Sequence, residues 1–394
     1  MTSQSETLSG SRAAEDSLER FAALHMATFR TKRAPIDLSY PNPRVHRDER
    51  ALIALRDLVG RVRLDELQYT PFGGRTVTRR RIAAGLARRF GIPYAFRDVF
   101  LVPGATAALR LIFGALFSPG DEVLFAVPGW MDYPVYLSAC GLRAVPVALG
   151  EDKHLDLRAI ASSIGPRTAG LIISQPACPT GVVYRPAELA ELAEILCHMA
   201  SRHGRHLLLV SDEAHRDTVW GEEPLHSPAE FYPQTATVYS FGKAWSLQGQ
   251  RTGYAALHPC LADHDDAVRT TERALRTTGF CAPTALMQLL VTELADLVPD
   301  TQTLRRDQED FRSRLADLGY QPCRASATSF VYVRCPDELG DDREFVEQLA
   351  ARGLLAMPSS VFHEPGYFRL ALNEPADRFD EITQRLGAVL RTDA

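Results

Sequence analysis

The chain has 394 residues, 45% of them hydrophobic and 24% charged, and a formal net charge of −5. This is the composition of a folded globular protein with room for one large and one smaller domain. The charge argues against a nucleic-acid surface, and no apolar run approaches the roughly 18 residues of a membrane span. The polar opening Met1-Thr-Ser-Gln-Ser-Glu is unlike a signal peptide. Seven dispersed cysteines, without a CxxC pair or His partners at zinc spacing, predict reduced thiols, a cytoplasmic location and no metal site.

Residues 1–13, rich in Ser, Thr and Gly, read as a disordered tail. Leu18–Phe29 has helical apolar spacing. In Ile36-Asp-Leu-Ser-Tyr-Pro-Asn-Pro, Pro41 and Pro43 force an extended path. The segment reads as a linker, with the lining of a cleft as the alternative and Tyr40 then a candidate substrate contact. Glu49–Val62 and Thr76–Phe90 read as helices, separated by the turn cluster Gln68-Tyr69-Thr-Pro-Phe-Gly-Gly74. The run Arg79-Arg80-Arg81 reads as a solvated helix face. Val99–Pro103 is a short strand, and Gly104-Ala-Thr106 opens an apolar helix, Ala107–Phe117. Free N–H groups at such a helix start attract anions.

From Pro119 onward, strands alternate with helices. Strands are expected at Glu122–Val127, Arg143–Leu149, Ala169–Ser174, His206–Ser211, Thr235–Ser240 and Gly253–Leu257, and a helix at Pro186–His203. This pattern predicts a mostly parallel sheet covered by helices. Beyond Ala262 the texture changes. Long charged helices are expected at His264–Thr277 and Thr303–Leu318, flanking the apolar Ala285–Leu297, followed by Ser329–Arg334, a helix at Asp342–Arg352, the segments Leu354–Pro358 and Tyr367–Leu372, and a final helix at Asp377–Leu390. That reads as a smaller α+β domain joined by a long helix.

The informative clusters fall just after strands, where open α/β sheets bind ligands. Lys243 stands where the strand Thr235–Ser240 runs out, with Ser240, Arg251 and Gly253 nearby in sequence. A hydroxyl, an amine and a guanidinium in one turn-rich segment suit an amine that condenses with an aldehyde beside a phosphate. Pyridoxal 5′-phosphate is such a partner, anchored as a lysine Schiff base. Asp212 ends a buried strand, where a carboxylate needs a cation such as a protonated pyridine nitrogen. Trp130 could stack on the ring and touch substrate. Gly104, Ala105, Thr106, Ser240 and Arg251 form a plausible phosphate cup. Arg369 could grip a substrate carboxylate with two hydrogen bonds.

Taken together, Tyr69, Gly104-Ala-Thr106, Trp130, Pro179-Thr-Gly181, Asp212, Ser240-x-x-Lys243, Arg251 and Arg369 make residues 35–390 resemble the fold-type I pyridoxal-phosphate enzymes of the class I/II aminotransferase family. That family includes members similar to 1-aminocyclopropane-1-carboxylate synthase. The resemblance implies a large cofactor domain over residues 63–285. It implies a small domain from 286–394 together with 35–62, preceded by an arm over 1–34. It also implies a homodimer with shared sites, in which Tyr69 reaches the phosphate bound by the neighbouring subunit.

Two positions depart from the family's pattern: Cys178 stands where Asn is usual and His215 where Tyr is usual. Both usually donate to the cofactor's phenolic oxygen, and a thiol is a weak donor. The departures point to a specialised reaction. The expected activity is transamination of an α-amino acid, with Lys243 and Asp212 catalytic. The alternative is β/γ-elimination, replacement or cyclisation from the same start. A non-catalytic regulator of this fold is disfavoured, because too little chain precedes residue 35 for a DNA-binding domain. Arg276 lies near where dicarboxylate-specific relatives carry a second arginine, but it reads as a solvated helix end.

Overall fold

The computed structural model describes residues 3–44, 48–221, 224–339 and 341–391, with the side chains of 3–15 and 337 left aside. The strands in chain order are β1 (Ile36–Asp37), β2 (Val99–Val102), β3 (Glu122–Val127), β4 (Arg143–Ala148), β5 (Thr168–Ser174), β6 (Leu208–Asp212), β7 (Thr235–Ser240) and β8 (Gly253–Leu257), then β9 (Gln321–Pro322), β10 (Phe330–Arg334), β11 (Leu354–Leu355), β12 (Met357–Pro358) and β13 (Tyr367–Ala371). A seven-stranded sheet runs in the order β2-β8-β7-β6-β5-β3-β4. Its strands are parallel except β8, which runs antiparallel to both β7 and β2. β2, β5, β7 and β8 are buried along their whole length, which explains why they read as continuous apolar runs.

Helices cover both faces. On one, the apolar helix Ala105–Leu116 packs with His264–Thr277; on the other, Leu189, Leu192, Leu196 and Met199 of Pro186–His203 form the buried stripe read from the sequence. The helices Arg50–Arg61, Thr76–Phe90 and Ala285–Leu294 share another core with β2 and β8. A separate four-stranded sheet, β12-β13-β10-β9, packs with Gln302–Asp317, Asp342–Ala351 and Phe379–Leu390 around Phe311, Phe345 and Phe368. The architecture is the α/β fold expected, with a mostly parallel, helix-covered main sheet.

Three expectations need correction. The first helix begins at Ser3 and ends at Thr31, through the stretch read as disordered. Once Leu18–Phe29 forms a helix, each added residue costs little, and Arg12-Ala-Ala-Glu are good helix formers. Ile36–Pro43 is more than a linker. β1 pairs in parallel with β11, and the Asn373 side-chain amide donates to the carbonyls of Asp37 (2.8 Å) and Tyr40 (2.6 Å). Arg79 is buried, not solvated. Its Nε donates to the carbonyls of Phe96 (3.0 Å) and Val99 (2.6 Å), and its guanidinium lies over Phe96 and Phe100.

Candidate active site

The carboxyl ends of β3, β5, β6 and β7 open onto a cavity of about 280 Å³, closed from the other side by residues of the second sheet. Lys243 enters from β7. The Ser240 hydroxyl accepts a hydrogen bond from the Gly242 N–H (3.3 Å), capping a single turn, Phe241–Ala244, that carries the lysine past the sheet edge. Burial brings the Lys243 amine down to about 8, and the guanidiniums of Arg369 and Arg251 push the same way. A sizeable share of this amine is therefore unprotonated near neutral pH, as a nucleophile requires.

Asp212 ends β6 and is buried. Its Oδ2 accepts from the Tyr133 hydroxyl at 2.7 Å and its Oδ1 from the Ala214 N–H at 3.1 Å. Burial raises its pKa, and those two donors oppose the rise. The turn after β6 is held by a buried ion pair. Glu213 meets Arg216 at 2.9 Å and accepts from the Ser211 (3.0 Å) and Ser227 (2.5 Å) hydroxyls, while Arg216 also donates to the Tyr254 hydroxyl. This support fixes the stretch that carries Asp212 and His215. Burial pushes the His215 imidazole well below its ordinary range, with Lys243 and Arg369 adding to the effect. Burial likewise raises the Cys178 thiol. Both are neutral groups at neutral pH. Cys178 follows Ser174 at the end of β5, in a turn where Gln175–Pro176 and Cys178–Pro179 are cis.

The residues expected to hold a phosphate come from the ends of β2 and β7 and the start of β8. Gly104 takes φ +87°, a conformation that favours glycine, and hands the chain to the helix Ala105–Leu116. A Cβ there would lie 2.9 Å from Arg251 Nη2, so the guanidinium packs closely on the glycine backbone. Ala105, Thr106, Ser240 and Arg251 all line the cavity; Gly104 does not, but lies against the Arg251 guanidinium.

Trp130 lines the cavity and stacks on Tyr136, with ring centroids 5.5 Å apart. Arg369 arrives from β13, paired in register with Tyr332 and Met357. Its guanidinium lies 4.3 Å from the Phe330 ring centroid and 4.8 Å from that of Phe362. Nη2 donates to the Ser39 carbonyl at 2.6 Å, while the buried Nε has no partner. Burial lowers its pKa to about 10, so it stays cationic at neutral pH. Arg369 is thus a buried guanidinium with no acidic partner among the described residues and with donor capacity to spare.

One cavity thus gathers Tyr40, Ala105, Thr106, Trp130, Cys178, Asp212, His215, Ser240, Lys243, Arg251 and Arg369. Tyr69 is not brought in: it stands fully exposed on the surface. Arg276 is also exposed, over the ring of Phe72. Sequence reading missed Tyr133, Asp132, Phe330 and the Glu213–Arg216 support. A tyrosine three residues after Trp130 carried a signal only once its contact with Asp212 was known.

The family model for aminotransferase class I and II matches residues 49–386. A probable aspartate/prephenate aminotransferase of Aquifex aeolicus is 28% identical over 84% of this chain and 85% of its own length. A probable N-succinyldiaminopimelate aminotransferase of Mycobacterium tuberculosis is 30% identical over 76% of this chain and 75% of its own. The crystal structure of an amino transferase from Eubacterium rectale superposes with a TM-score of 0.87 at 23% identity, over 96% of this chain and 95% of that one. The family's cofactor is pyridoxal 5′-phosphate, and the cavity fits it. It offers an amine depressed to about 8, a buried carboxylate with no ion-pair partner among the described residues, and the Arg251 guanidinium with the Thr106 and Ser240 hydroxyls in its lining. Among the described residues, no helix is long and apolar enough to cross a membrane. The chain belongs to the class I and II aminotransferases and is a pyridoxal-phosphate-dependent enzyme of fold type I.

Proposed function

We propose that this aminotransferase acts on a free α-amino acid, with Lys243 as the residue that holds the cofactor and Arg369 as the one that binds the substrate α-carboxylate. The single observation that carries this is Arg369: a buried guanidinium with an unpartnered Nε, lining the same 280 Å³ cavity as a lysine whose amine is depressed to about 8. Pyridoxal 5′-phosphate supplies an aldehyde that condenses with primary amines and a ring that withdraws electrons from the attached carbon. Asp212, oriented by Tyr133 and Ala214, would keep the ring nitrogen protonated. Gly104, Ala105, Thr106, Ser240 and Arg251 would hold the phosphate, with Trp130 against the ring. Once free, the Lys243 amine is the base placed to take the substrate Cα proton and return it elsewhere.

Tyr69 is assigned to the phosphate site of a second copy of the chain, a reading its full exposure supports. Cys178 and His215 favour chemistry tuned away from routine aspartate or glutamate transamination, as in specialised metabolism. The relatives named above differ in substrate and do not decide this. Borohydride reduction of the holoenzyme followed by peptide mapping is expected to tag Lys243. Lys243→Ala is expected to keep the fold and lose both the visible band and turnover. A tag on another lysine, or retained turnover, would overturn the assignment.

A further inference from the structure

We propose that Asp132 makes the substrate pocket selective for amino acids whose side chain ends in a cation, an ammonium or a guanidinium. The inference rests on the assignment of Arg369 to the α-carboxylate. Asp132 follows Trp130 and Met131 in the turn after β3 and lines the cavity. Its negative charge acts on the Tyr40 hydroxyl, and Arg369 acts on that same hydroxyl with the opposite sign. Tyr40, Asp132 and Arg369 thus line one cavity, with Tyr40 close enough to feel both charges.

Every other charged group of the lining has a partner or an assigned task. Asp212 is held by Tyr133 and Ala214. Lys243, Arg251 and Arg369 serve the cofactor and the α-carboxylate. Asp132 alone is left over. Its carboxylate does not cap the helix that it precedes, and it makes no hydrogen bond or ion pair among the described residues. Burial alone shifts it, upward, with no cation opposing. Half-burying a carboxylate without a counter-charge is costly, and a cation supplied by the substrate offsets that cost. Met131, Tyr40 and Phe330 offer apolar and aromatic surface for the methylene stem of such a side chain, and an aromatic face favours the cation itself. The same carboxylate repels an acidic side chain, so one residue supplies both attraction and exclusion.

The test compares L-lysine, L-norleucine and L-glutamate as amino donors to the holoenzyme, by kcat/KM. It is paired with inhibition constants for 6-aminohexanoate and hexanoate, which need no turnover. Wild type is expected to prefer lysine over norleucine, and 6-aminohexanoate over hexanoate, by roughly tenfold or more, the worth of a charge-assisted hydrogen bond. Asp132→Asn is expected to lower both ratios by roughly tenfold, and Asp132→Lys to turn the preference toward glutamate. A wild-type preference for norleucine or glutamate overturns the proposal, even if neither variant folds. So do ratios unchanged in Asp132→Asn. An equal loss for all three donors overturns it too, since Asp132 would then act on every donor alike. If instead the Lys243 and Arg369 assignments are wrong, the borohydride tag is misplaced, and Arg369→Gln leaves hexanoate binding unchanged.

Discussion

The Tyr133 hydroxyl donates a 2.7 Å hydrogen bond to Oδ2 of Asp212, and both side chains are buried. The bond joins the turn after β3 to the end of β6, two strands away in the sheet. Burial raises the carboxyl pKa, and this bond opposes the rise, favouring the charged form that the proposed contact with a protonated ring nitrogen needs.

Tyr133→Phe removes that donor and leaves the ring in place. A hydrogen bond to a charged group is worth about 1.5–3 kcal/mol. The variant should therefore bind pyridoxal 5′-phosphate roughly ten- to a hundredfold more weakly. Titrating the apoprotein with cofactor and following tryptophan fluorescence measures this. Affinity equal to wild type would mean that Asp212 keeps its charge without Tyr133.

Lys243 gives a pH prediction with a definite sign. Its amine sheds its proton near pH 8, where an ordinary lysine does so near 10.4. Capture of the cofactor by the apoprotein needs the neutral amine. Its rate should rise about tenfold per pH unit up to about pH 8 and then level off, whereas an unshifted lysine would show no bend until beyond pH 10. Between those two values the folded state binds fewer protons than the unfolded one. This residue's contribution to stability therefore grows with pH across that window, and below pH 8 its burial cost is constant. Arg369→Gln removes one of the cations that depress the amine and should move the bend to higher pH. Stopped-flow absorbance across pH 6.5–10 reads both effects, and a rate still climbing past pH 9.5 in the wild type would contradict the depressed amine.

Long periodic elements were legible from the sequence because local pattern alone decides them. The helices Thr76–Phe90, Pro186–His203 and His264–Thr277 have the bounds expected. So do the strands Glu122–Val127, Thr235–Ser240 and Gly253–Leu257. What long-range contact decides was not legible. β1 is two residues long and exists through its pairing with Leu354 and Leu355, far along the chain. β8 is antiparallel to both of its neighbours, a direction that the apolar run Gly253–Leu257 does not reveal. The short helix Leu157–Ser163, capped by Asp156, was too brief to show a period. The site followed the same rule. Residues at strand ends, such as Lys243 and Asp212, announced themselves by position. Tyr133 and Asp132 gained meaning only from their surroundings across the sheet.

Cys178 and His215 give the last prediction. The thiol is raised and the imidazole lowered by burial, so both present neutral, soft or tautomer-dependent groups to the cavity. Where the family's pattern has Asn and Tyr, two firm donors would draw electron density from the cofactor's phenolic oxygen. Weaker donors leave that oxygen a better acceptor for the protonated nitrogen at Lys243, and so hold the proton there to higher pH. The double variant Cys178→Asn/His215→Tyr should therefore move the pH midpoint of the bound cofactor's visible band downward. Each neutral hydrogen bond is worth about 0.5–1.5 kcal/mol and one pKa unit is about 1.4 kcal/mol, so the expected shift is about one unit. If these two residues also set the reaction outcome, the product spectrum by mass analysis should move toward simple transamination. An unmoved midpoint with the same product would show that the two substitutions are neutral, and the specialised reading would fall with them.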